Sequence, residues 1–129
     1  MTTTAELESF IVALYEDLAD RVAFDARLAD DVTVWETPWP TLMHGIAELD
    51  ELRGPAADPD ERRRTLPSVV PTGIVTSDFG DTGVIRYVLE VRTAAGEPLV
   101  EVVRVTDVVR RDADGWRIVH HHAQDMPVE

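Results

Sequence analysis

The stretch that most constrains this chain is its end, where two strand-like runs, Val102 to Val109 and Gly115 to Gln124, flank Asp112-Ala113-Asp114-Gly115. Runs of this kind on either side of a turn tetrad predict an antiparallel hairpin. Successive side chains of a strand point to opposite faces. Strict alternation therefore places Trp116, Ile118, His120, His122 and Gln124 on one side and Arg117, Val119, His121 and Ala123 on the other. The first set begins apolar and ends polar, as the inner wall of a ligand pocket does. If the tetrad is the loop, Arg111 pairs with Trp116, Val109 with Ile118, Asp107 with His120 and Val105 with His122, which sets a carboxylate beside an imidazole. A three-residue loop moves the register by one, brings Thr106 and Arg104 opposite the histidines and turns Asp107 to the far face. Both registers fit the residues.

The rest of the chain supplies what such a hairpin packs against. Thr4 is placed to cap a helix whose apolar face is Leu7, Phe10, Ile11, Leu14 and Leu18. A second helical segment is expected from Val22 to Leu28, then a short strand from Val32 to Glu36, stopped by Pro38 and Pro40. Gly45 opens a third helix, Ile46 to Leu52, closed by Gly54-Pro55. Gly54 to Pro67, with its prolines and Arg62-Arg63-Arg64, has no period and is expected to be a mobile connection or lid, its arginines solvated beside nearby carboxylates. Strands follow at Ser68 to Thr76, Val84 to Arg92 and Leu99 to Val109, with turns at Asp81-Thr82-Gly83 and Ala94-Ala95-Gly96. Helices first and a meandering sheet last predict an α+β domain with its helices on one face of the sheet.

At 129 residues the chain makes one domain around one core, 1–129. With 25 acidic against 12 basic residues and a net charge of -13, it repels phosphate backbones and anionic lipid. Neither nucleic acid nor a membrane is an expected partner. The absence of cysteine excludes a disulfide framework and thiol chemistry. No stretch reads as a signal peptide or a bilayer span, so a cytoplasmic protein is expected.

Two helices, then Ala29-Asp30-Asp31-Val32-Thr33-Val34-Trp35-Glu36, a helix opened by Gly45-Ile46, Arg104-Val105-Thr106-Asp107-Val108, and Gly115-Trp116-Arg117-Ile118-Val119-His120-His121-His122 follow in order over essentially the whole chain. This order resembles the superfamily of nuclear transport factor 2, ketosteroid isomerase and the SnoaL-like polyketide cyclases. The resemblance implies a cone-shaped α+β fold whose N-terminal helices pack on a curved, mostly antiparallel sheet enclosing one pocket. It also implies a homodimer formed through the outer sheet face. Such cones serve isomerases, dehydratases, cyclases, epoxide hydrolases and pure binding modules, so function has to be argued from the site.

In the ketosteroid isomerases the general base follows an Ala-Asp-Asp-x-Thr-Val stretch, the place Glu36 holds here. A protonated aspartate in a Val-x-Asp-Val context matches Asp107, which favours the register that turns Asp107 inward beside His120. The oxyanion tyrosine of those enzymes falls nearest Phe10, with Tyr15 a turn later. His120 and His122 stand where those pockets are apolar, so a steroid isomerase is not expected. The His-x-His ending is similar to SnoaL-like proteins and to the association domain of calmodulin-dependent kinase, where the pocket need not be catalytic.

The candidates for chemistry are therefore Glu36, Asp107, His120 and His122, with Tyr15, Trp35, Trp39, His44, Tyr87, Arg104 and Gln124 as substrate-binding residues. Each has a plainer alternative. Glu36 would be inert as a rim carboxylate in water, and Asp107 with His120 would be a buried pair that satisfies itself. His121, facing away, is expected at the surface or a dimer interface. Paired histidines near carboxylates suit a metal, but alternate spacing on a strand is common by chance, and no metal is expected. With no glycine-rich phosphate loop, no cofactor is expected either. The expected function is acid–base chemistry on a small, apolar, oxygenated substrate by an isomerase, dehydratase or cyclase. The alternative is a ligand-binding or oligomerisation module.

Overall fold

The computed structural model describes residues 2–93 and 98–128, so the turn expected at Ala94-Ala95-Gly96 lies outside the described residues. The elements run α1 (Thr3–Glu16), α2 (Arg21–Asp25), β1 (Leu28–Glu36), β2 (Met43–His44), α3 (Gly45–Arg53), α4 (Pro59–Thr65), β3 (Ser68–Asp78), β4 (Thr82–Arg92), β5 (Leu99–Asp112) and β6 (Gly115–Met126). The strands form one curved, open sheet in the order β2-β1-β6-β5-β4-β3. Among the described residues only the β1–β6 pair is parallel. This is the expected α+β cone, with helices laid on the concave face.

Burial follows the periods of the sequence. Leu7, Ile11 and Leu14, one stripe of α1, are fully buried, and so is Ile85 on the inner face of β4. Helix and sheet meet closely at Gly83, where a Cβ would stand 2.9 Å from the Leu7 side chain. The cap of α1 is Thr2, whose hydroxyl accepts from Ala5 N, rather than the expected Thr4. The second helix is shorter than expected, and β1 longer, because Leu28 and Ala29 already enter the core.

Two departures shape the site. The segment expected to be irregular contains α4, started by Asp58 accepting from Glu61 N with Pro59 in the first turn. Arg63 pairs with Asp60, whereas Arg62 faces the interior. The second departure is in the last hairpin, where Asp112 pairs with Gly115 around a two-residue turn and Val109 pairs with Ile118 as expected. The register then slips, so that Val108 pairs with His120, Asp107 with His121 and Val105 with Ala123. Val119 is the extra residue of a β-bulge, which turns every later side chain of β6 to the opposite face.

Candidate functional site

Between the helices and the sheet lies a cavity of about 490 Å³. Its walls are largely apolar side chains such as Leu14, Phe24, Leu52, Val69, Leu89 and Val103. Inner-face polar groups interrupt that lining: Glu36 at the end of β1, His121 and Asp125 on β6, Glu101 on β5 and Tyr15 on α1. Arg53 and Arg62 reach it from the helices.

The bulge decides which imidazole enters. His121, expected at the surface, faces the interior, and its Nδ1 lies 2.5 Å from Asp107 Oδ1. His120 and His122, expected to line the pocket, lie on the outer face instead. There, His120 Nδ1 is 2.7 Å from the Thr33 hydroxyl, and His122 is exposed. Arg104 and Gln124 share that outer face and bond to each other at 2.9 Å. Trp35 is 43% exposed outside, and His44 pairs with Thr33 at the sheet edge. Trp39 borders an outer groove with Trp35 and His122. Of the expected residues, the structure brings together Glu36, Asp107, Tyr15 and Tyr87 around the cavity, with His121 in the place given to His120.

Asp107 is fully buried and sits directly opposite His121 in the β5–β6 ladder. A carboxylate only accepts hydrogen bonds, so Nδ1 carries the proton and, in the neutral imidazole, Nε2 is left as a base. Nε2 has no hydrogen-bond partner among the described residues, and the side chain keeps 18% of its exposure where it meets the cavity. The second carboxylate oxygen of Asp107 accepts from the Tyr87 hydroxyl at 2.5 Å, and the Tyr87 hydroxyl lies 2.8 Å from that of Tyr15. Tyr87 and Asp107 are buried behind the wall; Tyr15 and His121 form part of it.

Burial and the charge of Asp107 hold both phenols well above the usual tyrosine range, so they stay protonated. Burial pushes Glu36 upward; His121 and Arg53 oppose this and Asp125 adds to it, leaving the carboxyl raised. Burial alone would lower His121, but Asp107, by charge and hydrogen bond, and Glu36 together leave it raised. His120, outside, is lowered by burial and by its neighbouring imidazoles.

Because folding tightens the proton on His121, its contribution to stability is full below an unfolded value of about 6.5 and is lost as pH rises through the raised folded value. Thermal melts between about pH 6 and about pH 9 should show the wild-type Tm falling across that window, with a shallower fall for His121→Gln. Parallel curves would contradict the pairing.

Among the described residues no group of histidines and carboxylates has metal-holding geometry, and no helix is long and apolar enough to cross a membrane. The sequence matches the family described as SnoaL-like domain over residues 7–129. No curated protein matches the sequence. Among solved structures, a candidate dehydratase of the NTF2-like family from Streptomyces avermitilis superposes with a TM-score of 0.74 at 23% identity, covering 97% of this chain and 96% of its own. A candidate ketosteroid isomerase from Parabacteroides distasonis gives 0.73 at 18% identity, over 97% and 89%. The CaMKII hub of S. rosetta gives 0.77 at 20% identity, over 98% of both chains. At these identities the likeness establishes the fold.

Proposed function

The chain belongs to the SnoaL-like domain family, and from that premise we propose that it is a cofactor-independent acid–base enzyme, an isomerase or dehydratase of small, apolar, oxygenated compounds. The observation that carries this is the buried Asp107–His121 pair, bonded at 2.5 Å, with the second imidazole nitrogen turned to a mostly apolar cavity. His121 Nε2 takes a proton made acidic by a neighbouring carbonyl, Asp107 holds the ring and balances the charge, and Tyr15 turns its hydroxyl proton from Tyr87 to the oxygen where negative charge grows. Glu36, whose carboxyl burial holds above its ordinary range, returns a proton to carbon or to a departing hydroxyl.

The test is conversion of small β,γ-unsaturated and β-hydroxy ketones to conjugated enones, followed by absorbance. Wild type should exceed the buffer rate, and the rate should vanish into the background in a Glu36→Gln, His121→Ala double variant that still folds. A second reading, a ligand-holding assembly module, is favoured by the outer sheet face, where Trp35, Val70 and Val75 are 43%, 47% and 56% exposed. A homodimer through that face is compatible with either role. Ligand binding without turnover of any enolisable ketone would favour the module.

A further inference from the structure

The outer face of the sheet carries a groove that takes no part in the acid–base chemistry. It encloses about 370 Å³ and is lined by Arg86 and Val88 of β4, Arg104 and Thr106 of β5, and His122 and Gln124 of β6. The ladders fix their arrangement. Arg86 lies directly opposite Thr106, and Thr106 directly opposite His122, so one row of side chains crosses three strands. Arg104 stands two residues along β5 from Thr106 on the same face, diagonal to both Arg86 and His122. Two guanidinium groups and an imidazole therefore surround one threonine hydroxyl. Gly73 opens the edge of the groove, because β3 slips register against β4 there and no side chain projects.

Elsewhere in the chain arginines pair with carboxylates, as Arg27 does with Asp17 and Arg92 with Glu90. Among the described residues Arg86 and Arg104 have no such partner. Arg86 donates to the Ser77 hydroxyl at 2.6 Å and Arg104 to the Gln124 amide oxygen at 2.9 Å. No carboxylate stands on the outer face among residues 84–88, 102–108 or 120–124, since Asp107 is buried inside. Both forks are thus held by neutral groups, which an incoming anion can replace without breaking an ion pair.

We propose that this groove binds phosphate, free or as the monoester of a small molecule. A phosphate offers three or more oxygens to donors that converge from neighbouring strands, whereas a carboxylate offers two. Thr106 supplies its hydroxyl, and His122 the N–H of whichever ring nitrogen carries the proton. The net charge of -13 opposes a long polyanion, which must lie along much of the surface. A single phosphate among these cations feels distant carboxylates only weakly, because salt screens their fields beyond about 8 Å. The groove lies across the sheet from His121, so the site is independent of the acid–base reading.

The test is NMR of the histidine rings during titration with inorganic phosphate, glycerol 1-phosphate and acetate, at constant ionic strength and about pH 8, where the phosphate group is dianionic. Phosphate should shift the His122 signals saturably and leave those of His121 in place. Arg86→Gln and Arg104→Gln should each weaken binding by about 10-fold, the worth of one hydrogen bond to a charged group. Both arginines are exposed, so neither substitution disturbs the core. Arg110→Gln removes a charge from β5 outside the groove and should change Kd by less than about twofold. A lower Kd for glycerol 1-phosphate than for the free ion assigns the monoester, and the reverse order assigns the free ion. Acetate binding as tightly as phosphate overturns the assignment to phosphate. Unmoved His122 signals overturn the site, and so does an Arg110→Gln loss equal to that of Arg104→Gln, which would reduce the effect to net charge.

Discussion

His121→Ala will lower enone formation by about 10²–10⁴-fold, the usual worth of a positioned general base, while His120→Ala and His122→Ala stay within roughly threefold of wild type. The contrast follows from one residue of register. All three histidines are adjacent in sequence, but the bulge at Val119 sends only His121 inward, to the carboxylate of Asp107. His120 is bonded to Thr33 on the outer face and has no path to the cavity contents. Rates of enone formation, normalised to folded protein by circular dichroism, measure the contrast. A loss in His120→Ala matching that in His121→Ala would place the chemistry on the wrong side of the sheet.

Asp107→Ala should be the most destabilising single change at the site. It leaves the Tyr87 hydroxyl with Tyr15 as its one remaining partner and strands the His121 Nδ1–H, a buried donor that costs about 1–3 kcal/mol when left without a partner. Asp107→Asn behaves differently. Its carbonyl oxygen can still accept from Nδ1 and its amide can donate to Tyr87, which then turns its own proton toward Tyr15. Stability should therefore stay within about 1 kcal/mol of wild type. Turnover should still fall by about 10²-fold or more, because an amide does not balance an imidazolium. Urea denaturation and rates of enone formation for the two variants separate these effects. Equal stability loss in both would mean that the carboxylate charge, and not the hydrogen bonds, holds this part of the fold.

Much of this architecture was legible in the residues because long periodic segments report burial directly. The α1 stripe through Leu7, Ile11 and Leu14 and the alternation along β4 and β5 each pack as their periods require. The placement of Asp107 and Glu36 was legible only through the family resemblance, Asp107 by its Val-x-Asp-Val context and Glu36 by the stretch that precedes it, since the residues alone fitted two registers. The imidazole was not, because a bulge changes the register by one residue without a glycine or proline to mark it. A signal was nevertheless present. Ile118 and Ala123 are five apart, an odd spacing that strict alternation puts on opposite faces, and both are apolar enough to belong inside. Burying both requires one extra residue between them, and that residue carries His121 inward. Helix α4 was missed for a different reason. Seven residues are too few to show a period, and only Asp58-Pro59, a cap followed by a proline suited to a first helical turn, announced it.

The placement of the three histidines is tested most directly by titrating the protein with para-nitrophenol, a flat phenol small enough for the 490 Å³ cavity, while following the ring signals of each histidine by NMR. Binding should shift the His121 signals and leave those of His120 and His122 where they were. Saturable shifts at His120 or His122 with His121 unmoved would contradict the account at its root.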